Sequence, residues 1–133
     1  MSVTHLAVRP ALEPCGQPEH DDCGLRTILD RLGERWTVMT IAELVSGPMR
    51  FRQLERALAE ISQRMLTLTV RRLERDGLVI RTVEATIPPA VTYELSARGH
   101  SFATLISGLV DWSRVNKEPI AQSQLEFDQR QDQ

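Results

Sequence analysis

The sequence is poor in the residues on which many protein classes depend. Two cysteines, Cys15 and Cys23, are too few for a disulfide framework, and a reducing compartment gives no reason to expect a staple between them. No apolar run is long enough to span a bilayer. Met1 to Pro14 is interrupted by His5, Arg9, Pro10, Glu13 and Pro14 before the apolar stretch of a signal peptide could develop. A cytoplasmic protein with no membrane contact is expected. Catalytic groupings are missing too: His5, His20 and His100 have no matching nucleophile or paired acids. Cys15, His20 and Cys23 follow no standard structural-zinc spacing and lack a fourth ligand. Neither an enzyme, nor a metal site, nor a bound cofactor is expected.

Charge of one sign is also scarce overall, with a formal net of −2, so any case for a polyanionic partner rests on where the charges lie. From Pro48 to Thr82 eight arginines face four carboxylates, a local net of +4. The acids gather in the tails, at Glu13, Glu19, Asp21 and Asp22 and again at Glu118, Glu126, Asp128 and Asp132. All the basic charge of the central segment is arginine, the planar cation that suits phosphates and guanine edges.

The proline- and glycine-bearing stretch 1–20 is expected to be a flexible arm. Order is expected over 21–117. Leu25, Ile28, Leu29 and Leu32 recur at i, i+3, i+4 and i+7, the stripe of a first amphipathic helix stopped by Gly33. Val38, Ile41, Ala42 and Val45 give a second helix, closed by Gly47-Pro48. Phe51, Leu54 and Leu58 mark a short third, and Ser62 is placed to cap a fourth over about 62–76, whose core stripe is Leu66, Val70 and Leu73. Asp76-Gly77 supplies its stop. The period then changes to two over 78–95, a β-hairpin interrupted by Pro88-Pro89. A last helix is predicted over about 97–116, and the polar composition of 118–133 predicts a mobile tail.

This order is mainly α with a small β-hairpin wing, an α+β winged helix-turn-helix. In that arrangement the second helix of the pair enters the major groove and the hairpin lies beside it. With Leu66, Val70 and Leu73 turned inward, Arg64, Thr67, Leu68 and Arg71 project outward and Gln63 lies near their edge. Arginine can pair with guanine, glutamine with adenine, and the methyls of Thr67 or Leu68 can touch thymine. Arg72 and Arg75 are expected to hold backbone phosphates, supported by Arg52 and Arg81. Ser62 leaves amides at the helix start open to a phosphate. An arginine-bearing amphipathic helix can also be a plain solvated face, and the wing could serve a protein-interaction module instead. It is the spacing of the whole unit that favours double-stranded DNA.

The chain resembles the HxlR-type winged helix-turn-helix transcriptional regulators of bacteria. The resemblance is carried by Cys23 with LDRLGERW (Leu29 to Trp36), RFRQLERAL (Arg50 to Leu58), ISQRMLTLTVRRLERDGLVIR (Ile61 to Arg81) and IPPAVTYELSARG (Ile87 to Gly99). It implies a homodimer joined through the first and last helices, with Leu25, Ile28, Leu29, Phe102, Leu105, Ile106, Leu109 and Trp112 as candidate interface residues. It further implies a pseudo-palindromic operator, for which repression by occupancy is the simplest mechanism. Some members sense oxidants or electrophiles through a cysteine at the position of Cys23, with Cys15 here as a candidate resolving partner. A small-molecule effector without thiol sensing is the alternative. Two departures concern the wing, where Ala90 replaces a common arginine and Glu84 adds an acid. A third is Gly24, which replaces a proline.

Overall fold

The computed structural model describes residues 23–132. The expected arm over 1–20, with Cys15, lies outside them. In chain order the elements are α1 (Leu25–Leu32), α2 (Arg35–Leu44), β1 (Met49–Arg50), α3 (Phe51–Ala57), α4 (Gln63–Arg75), β2 (Val79–Glu84), β3 (Ala90–Leu95) and α5 (Ala97–Gln131).

The hairpin β2–β3 pairs antiparallel from Val79↔Leu95 to Glu84↔Ala90. The sheet holds one strand more than the sequence led us to expect, because β1 pairs with β3 through Met49↔Tyr93 and Arg50↔Thr92, giving the order β1-β3-β2. Two residues are too few to display an alternating pattern. They nonetheless fix α3 to the wing, since α3 begins at the next residue and the Phe51 ring lies 6.5 Å from that of Tyr93.

One core joins these elements, with Ile41 and Leu44 from α2, Leu54 from α3, Leu66, Val70 and Leu73 from α4, Tyr93 and Leu95 from β3, and Phe102 and Ile106 from α5. Burial of a side chain of this size contributes about 1.5–3 kcal/mol, so the α4 stripe alone accounts for several kcal/mol of what holds that helix in place. On α2 the expected stripe is rotated. Val45 and Ala42 are exposed and Val38 is half-buried, whereas Thr37, Thr40, Ile41 and Leu44 face inward. The two threonines tolerate burial because their hydroxyls are satisfied locally: Thr40 Oγ1 donates to Trp36 O at 2.7 Å and Thr37 Oγ1 to Glu34 Oε1 at 3.0 Å. Apolar spacing alone places such a helix in the wrong phase.

α4 ends in a Schellman arrangement in which Gly77 N donates to Glu74 O and Leu78 N to Leu73 O, with Gly77 at φ 76°. That left-handed residue turns the chain directly into β2. At Gly99 a Cβ would lie 2.1 Å from Leu78 O, so the first turn of α5 rests on the backbone at the start of the wing, and only glycine permits the approach.

The expected mobile tail from residue 118 is overturned. α5 runs unbroken over 35 residues with Pro119 inside it, a rod of about 52 Å at 1.5 Å per residue. Proline removes one helical hydrogen bond, but the segment that follows is rich in strong helix formers such as Ala121, Gln122, Gln124, Leu125 and Glu126. Gln122 Nε2 also donates to Glu126 Oε2 one turn on, at 3.0 Å. Polar composition was a poor guide because a helix that projects beyond its domain has little need of an apolar face. No helix among the described residues is long and apolar enough to cross a membrane.

Candidate nucleic-acid interface

α3, the turn around Glu60 and α4 form the helix-turn-helix. Glu60 takes φ 78° in that turn, and Ser62, in extended backbone, accepts a hydrogen bond from Met65 N at 3.0 Å. This cap satisfies one of the orphan amides and starts α4 at Gln63. From there the inward stripe Leu66, Val70 and Leu73, joined by buried Thr69, fixes the helix rotation.

Rotation decides which side chains face outward. At about 100° per residue, Arg64, Leu68, Arg71 and Arg75 form one exposed row opposite the core. Gln63 is exposed at the first turn. Thr67, at the edge of the row, is half-buried and donates its hydroxyl to Gln63 O at 2.9 Å, which leaves its methyl as the group offered to a partner. Arg64, Arg71 and Arg75 make no salt bridge with another described residue. Three cations and a leucine on one unobstructed face can pair with base edges and phosphates and touch a thymine methyl.

Arg72 does not belong to that row. It is turned toward the α1–α2 junction, where its guanidinium is hydrogen-bonded to Glu34. Four residues further on, Asp76 accepts from Arg31 Nε at 2.5 Å and from Arg31 Nη2 at 3.4 Å, and Arg31 lies 4.0 Å from Glu34. Arg72, Glu34, Arg31 and Asp76 therefore close a ring of alternating charge that ties the last turn of α4 to the end of α1. The hydrogen bond to Asp76, with the nearby carboxylates of Asp76, Glu34 and Asp30, holds the Arg31 guanidinium above the ordinary arginine value against the opposing effect of burial. The expected phosphate role of Arg72 is corrected accordingly, since its charge is engaged within the protein. Sequence spacing shows that Arg72 and Asp76 sit one turn apart. It does not show the two partners 38 and 45 residues away in the chain.

Arg81 is exposed on β2. Arg52 is exposed on α3 and lines, with Arg50, Gln53 and Arg56, a cleft that faces the wing tip. Arg50, Gln53 and Arg56 were not singled out from the sequence, because their common feature is the wing loop packed opposite them. At the wing tip Thr86 Oγ1 donates to Pro88 O at 2.8 Å, and Ile87 is fully exposed at 101%.

The candidate interface residues on the terminal helices separate into two groups. Phe102 and Ile106 are part of the domain's own core and are not available to a partner, a correction that follows from their one-turn spacing on the inward face of α5. Leu105 and Trp112, 69% and 58% exposed, and Leu109 lie on the adjoining face, while Ile28 and Leu29 are exposed on α1 and Leu25 is half-buried. Cys23, exposed just ahead of α1 and so open to pairing, is disulfide-bonded and not the free thiol that a reducing compartment led us to expect.

A capped helix presenting arginines on its outer face, a preceding helix across a tight turn and an adjacent hairpin define the chain as a winged helix-turn-helix transcriptional regulator. Residues 31–121 match the model of the HxlR-like helix-turn-helix family. The chain is 35% identical over 102 residues to the HTH-type transcriptional regulator YdeP of Bacillus subtilis, covering 77% of this chain and 80% of YdeP. Among solved structures it is similar to the redox regulator HypR in its reduced form, with TM-score 0.68 and 31% identity over 74% of this chain and 98% of HypR. It is also similar to reduced YodB of Bacillus subtilis, with TM-score 0.67 and 29% identity over 72% of this chain and 94% of YodB. The chain belongs to the HxlR-like family.

Proposed function

We propose that the protein is a homodimeric repressor that occupies a pseudo-palindromic operator and responds to oxidants or electrophiles through Cys23. The observation that carries the DNA reading is the exposed row Arg64, Leu68, Arg71 and Arg75, held outward by a buried stripe and unpaired within the described residues. Arg64 and Arg71 read base edges together with Gln63, Thr67 and Leu68. Arg75, Arg52 and Arg81 hold phosphates, and the amides beside Ser62 receive another.

Dimerisation is supported by exposed Ile28, Leu29, Leu105, Leu109 and Trp112, an apolar surface larger than an isolated domain of this size ordinarily leaves open. A two-fold axis sets two recognition helices one DNA turn apart. The sensing role is supported by similarity to HypR and YodB and by the place of Cys23 immediately before α1. Cys15, outside the described residues, is the resolving candidate. A change at Cys23 alters the seat of α1, and through the charge ring the end of α4. It releases DNA only if one dimer geometry is preferred over the other.

Fluorescence anisotropy with the protein's own upstream DNA and a scrambled duplex, across a salt series, tests the first part. A steep log–log fall with salt and preference for the upstream sequence are expected; no binding above background would contradict it. For the second, the protein and its Cys23→Ser variant are compared under reducing conditions and after a thiol oxidant or quinone. DNA release by the parent alone is expected, and equal release by both removes Cys23 from the mechanism.

A further inference from the structure

The wing of this protein carries no cation between Thr82 and Val91 and bears Glu84, which leaves open how it meets DNA. Its tip instead forms one wall of a cleft of about 820 Å³ whose other wall is Arg50, Arg52, Gln53 and Arg56, with Ile87 and Pro88 facing them. No carboxylate lines the cleft, and none of the three arginines forms a salt bridge with another described residue. Three uncompensated guanidiniums side by side repel one another, an arrangement that a bound polyanion relieves. Glu84 is not in the lining and is turned to Thr92, whose hydroxyl donates to it at 3.4 Å.

Both walls are held firmly. Arg50 is in the sheet opposite Thr92, and its backbone N–H donates to Gln53 Oε1 at 2.8 Å. The Thr86 to Pro88 hydrogen bond braces the tip. The cleft thus joins the first helix of the helix-turn-helix to the wing, the two elements that flank α4. An apolar tip of isoleucine and proline suits the sugar edges of a minor groove, where side chains of this kind are accommodated.

We infer that the cleft between α3 and the wing is a second backbone seat, through which a DNA strand flanking the bases read by α4 passes. Its phosphates pair with Arg50, Arg52 and Arg56 while its sugars lie against Ile87 and Pro88. In this protein the positive charge that engages DNA beside the wing is supplied by α3, and the wing contributes shape. The inference rests on the DNA-binding reading above.

The test uses the full-length protein, an Arg50→Gln/Arg56→Gln double variant and an Ile87→Ser variant, with circular dichroism and urea midpoints to establish folding. Each lost phosphate contact lowers the log–log salt slope by about 0.9, so a decrease of about 2 is expected in the double variant, with base preference unchanged. Hydroxyl-radical protection should vanish at backbone positions outside the recognised bases, in the double variant and, since Ile87 is a solvent-exposed tip, also in Ile87→Ser. An unchanged slope and footprint while the parent still binds DNA overturns the inference. So does binding of a polyglutamate peptide that the double variant alone loses without a change in DNA slope, which makes the cleft a docking face for acidic protein. If the parent itself shows no salt-dependent binding, it is the DNA-binding reading that fails.

Discussion

Asp76→Asn removes one charge from the ring that anchors the end of α4 and leaves side-chain size nearly unchanged. Exposed ion pairs contribute about 0–1 kcal/mol, and hydrogen bonds to a charged group about 1.5–3 kcal/mol. The Arg31 and Asp76 side chains are 15% and 23% exposed and meet at 2.5 Å, so the higher range applies and a loss of about 2 kcal/mol is expected. For a domain of 110 described residues, that corresponds to a fall of about 8 °C in Tm at about 4 °C per kcal/mol. The Arg72–Glu34 pair is 41% and 33% exposed, so solvent screening reduces its share, and Arg72→Ala is expected to cost no more than about 1 kcal/mol. The Arg31 contribution has a definite pH sign: with its folded value raised, it is fully present below the ordinary arginine value of 12.5 and is lost only as pH rises through the raised one. Urea denaturation of Asp76→Asn, Arg31→Met and the double variant yields the coupling energy directly. A coupling below about 0.3 kcal/mol, within the additivity expected of independent sites, would refute the reasoning, since the ring would then anchor nothing.

Three further outcomes follow from the packing. Gly99→Ala places a methyl 2.1 Å from Leu78 O and should cost about 1–3 kcal/mol by forcing α5 off the wing, measurable as a lowered urea midpoint. Ser62→Ala removes the cap on Met65 N and should cost about 1 kcal/mol, with fraying of the first turn of α4 seen as faster amide exchange there. Leu109→Lys, on the exposed face of α5, should leave the urea midpoint of the dilute protein nearly unchanged while shifting sedimentation from dimer to monomer; an unshifted profile would place the partner elsewhere.

Much of this architecture was legible in the sequence because it rests on periodicity and on terminal signals. Leu66, Val70 and Leu73 set the rotation of α4, Ser62 and Gly77 its ends, and the change of period after Gly77 its wing. Features made by distant partners were not legible. The Glu34–Arg72 and Arg31–Asp76 pairs join residues 38 and 45 positions apart, and Arg50 and Arg56 gain meaning only from the wing loop opposite them. The phase of α2 was misread because Thr37 and Thr40 bury hydroxyls satisfied within their own turn. The end of α5 was misread because polar composition cannot distinguish a projecting helix from a tail. Phe102 and Leu105 read alike in sequence, and only the packed domain separates the core residue from the exposed one.

The central claim is a division of labour among the arginines of α4, and operator selection from a randomised duplex library tests it most directly. Arg64→Ala is expected to lose about 1–3 kcal/mol on the selected site and to relax preference at one position in each half-site. Arg72→Ala is expected to select the parent sequence with an unchanged salt slope. A uniform loss of affinity across all sequences in Arg64→Ala, or a slope reduced by about 1 in Arg72→Ala, would contradict the account.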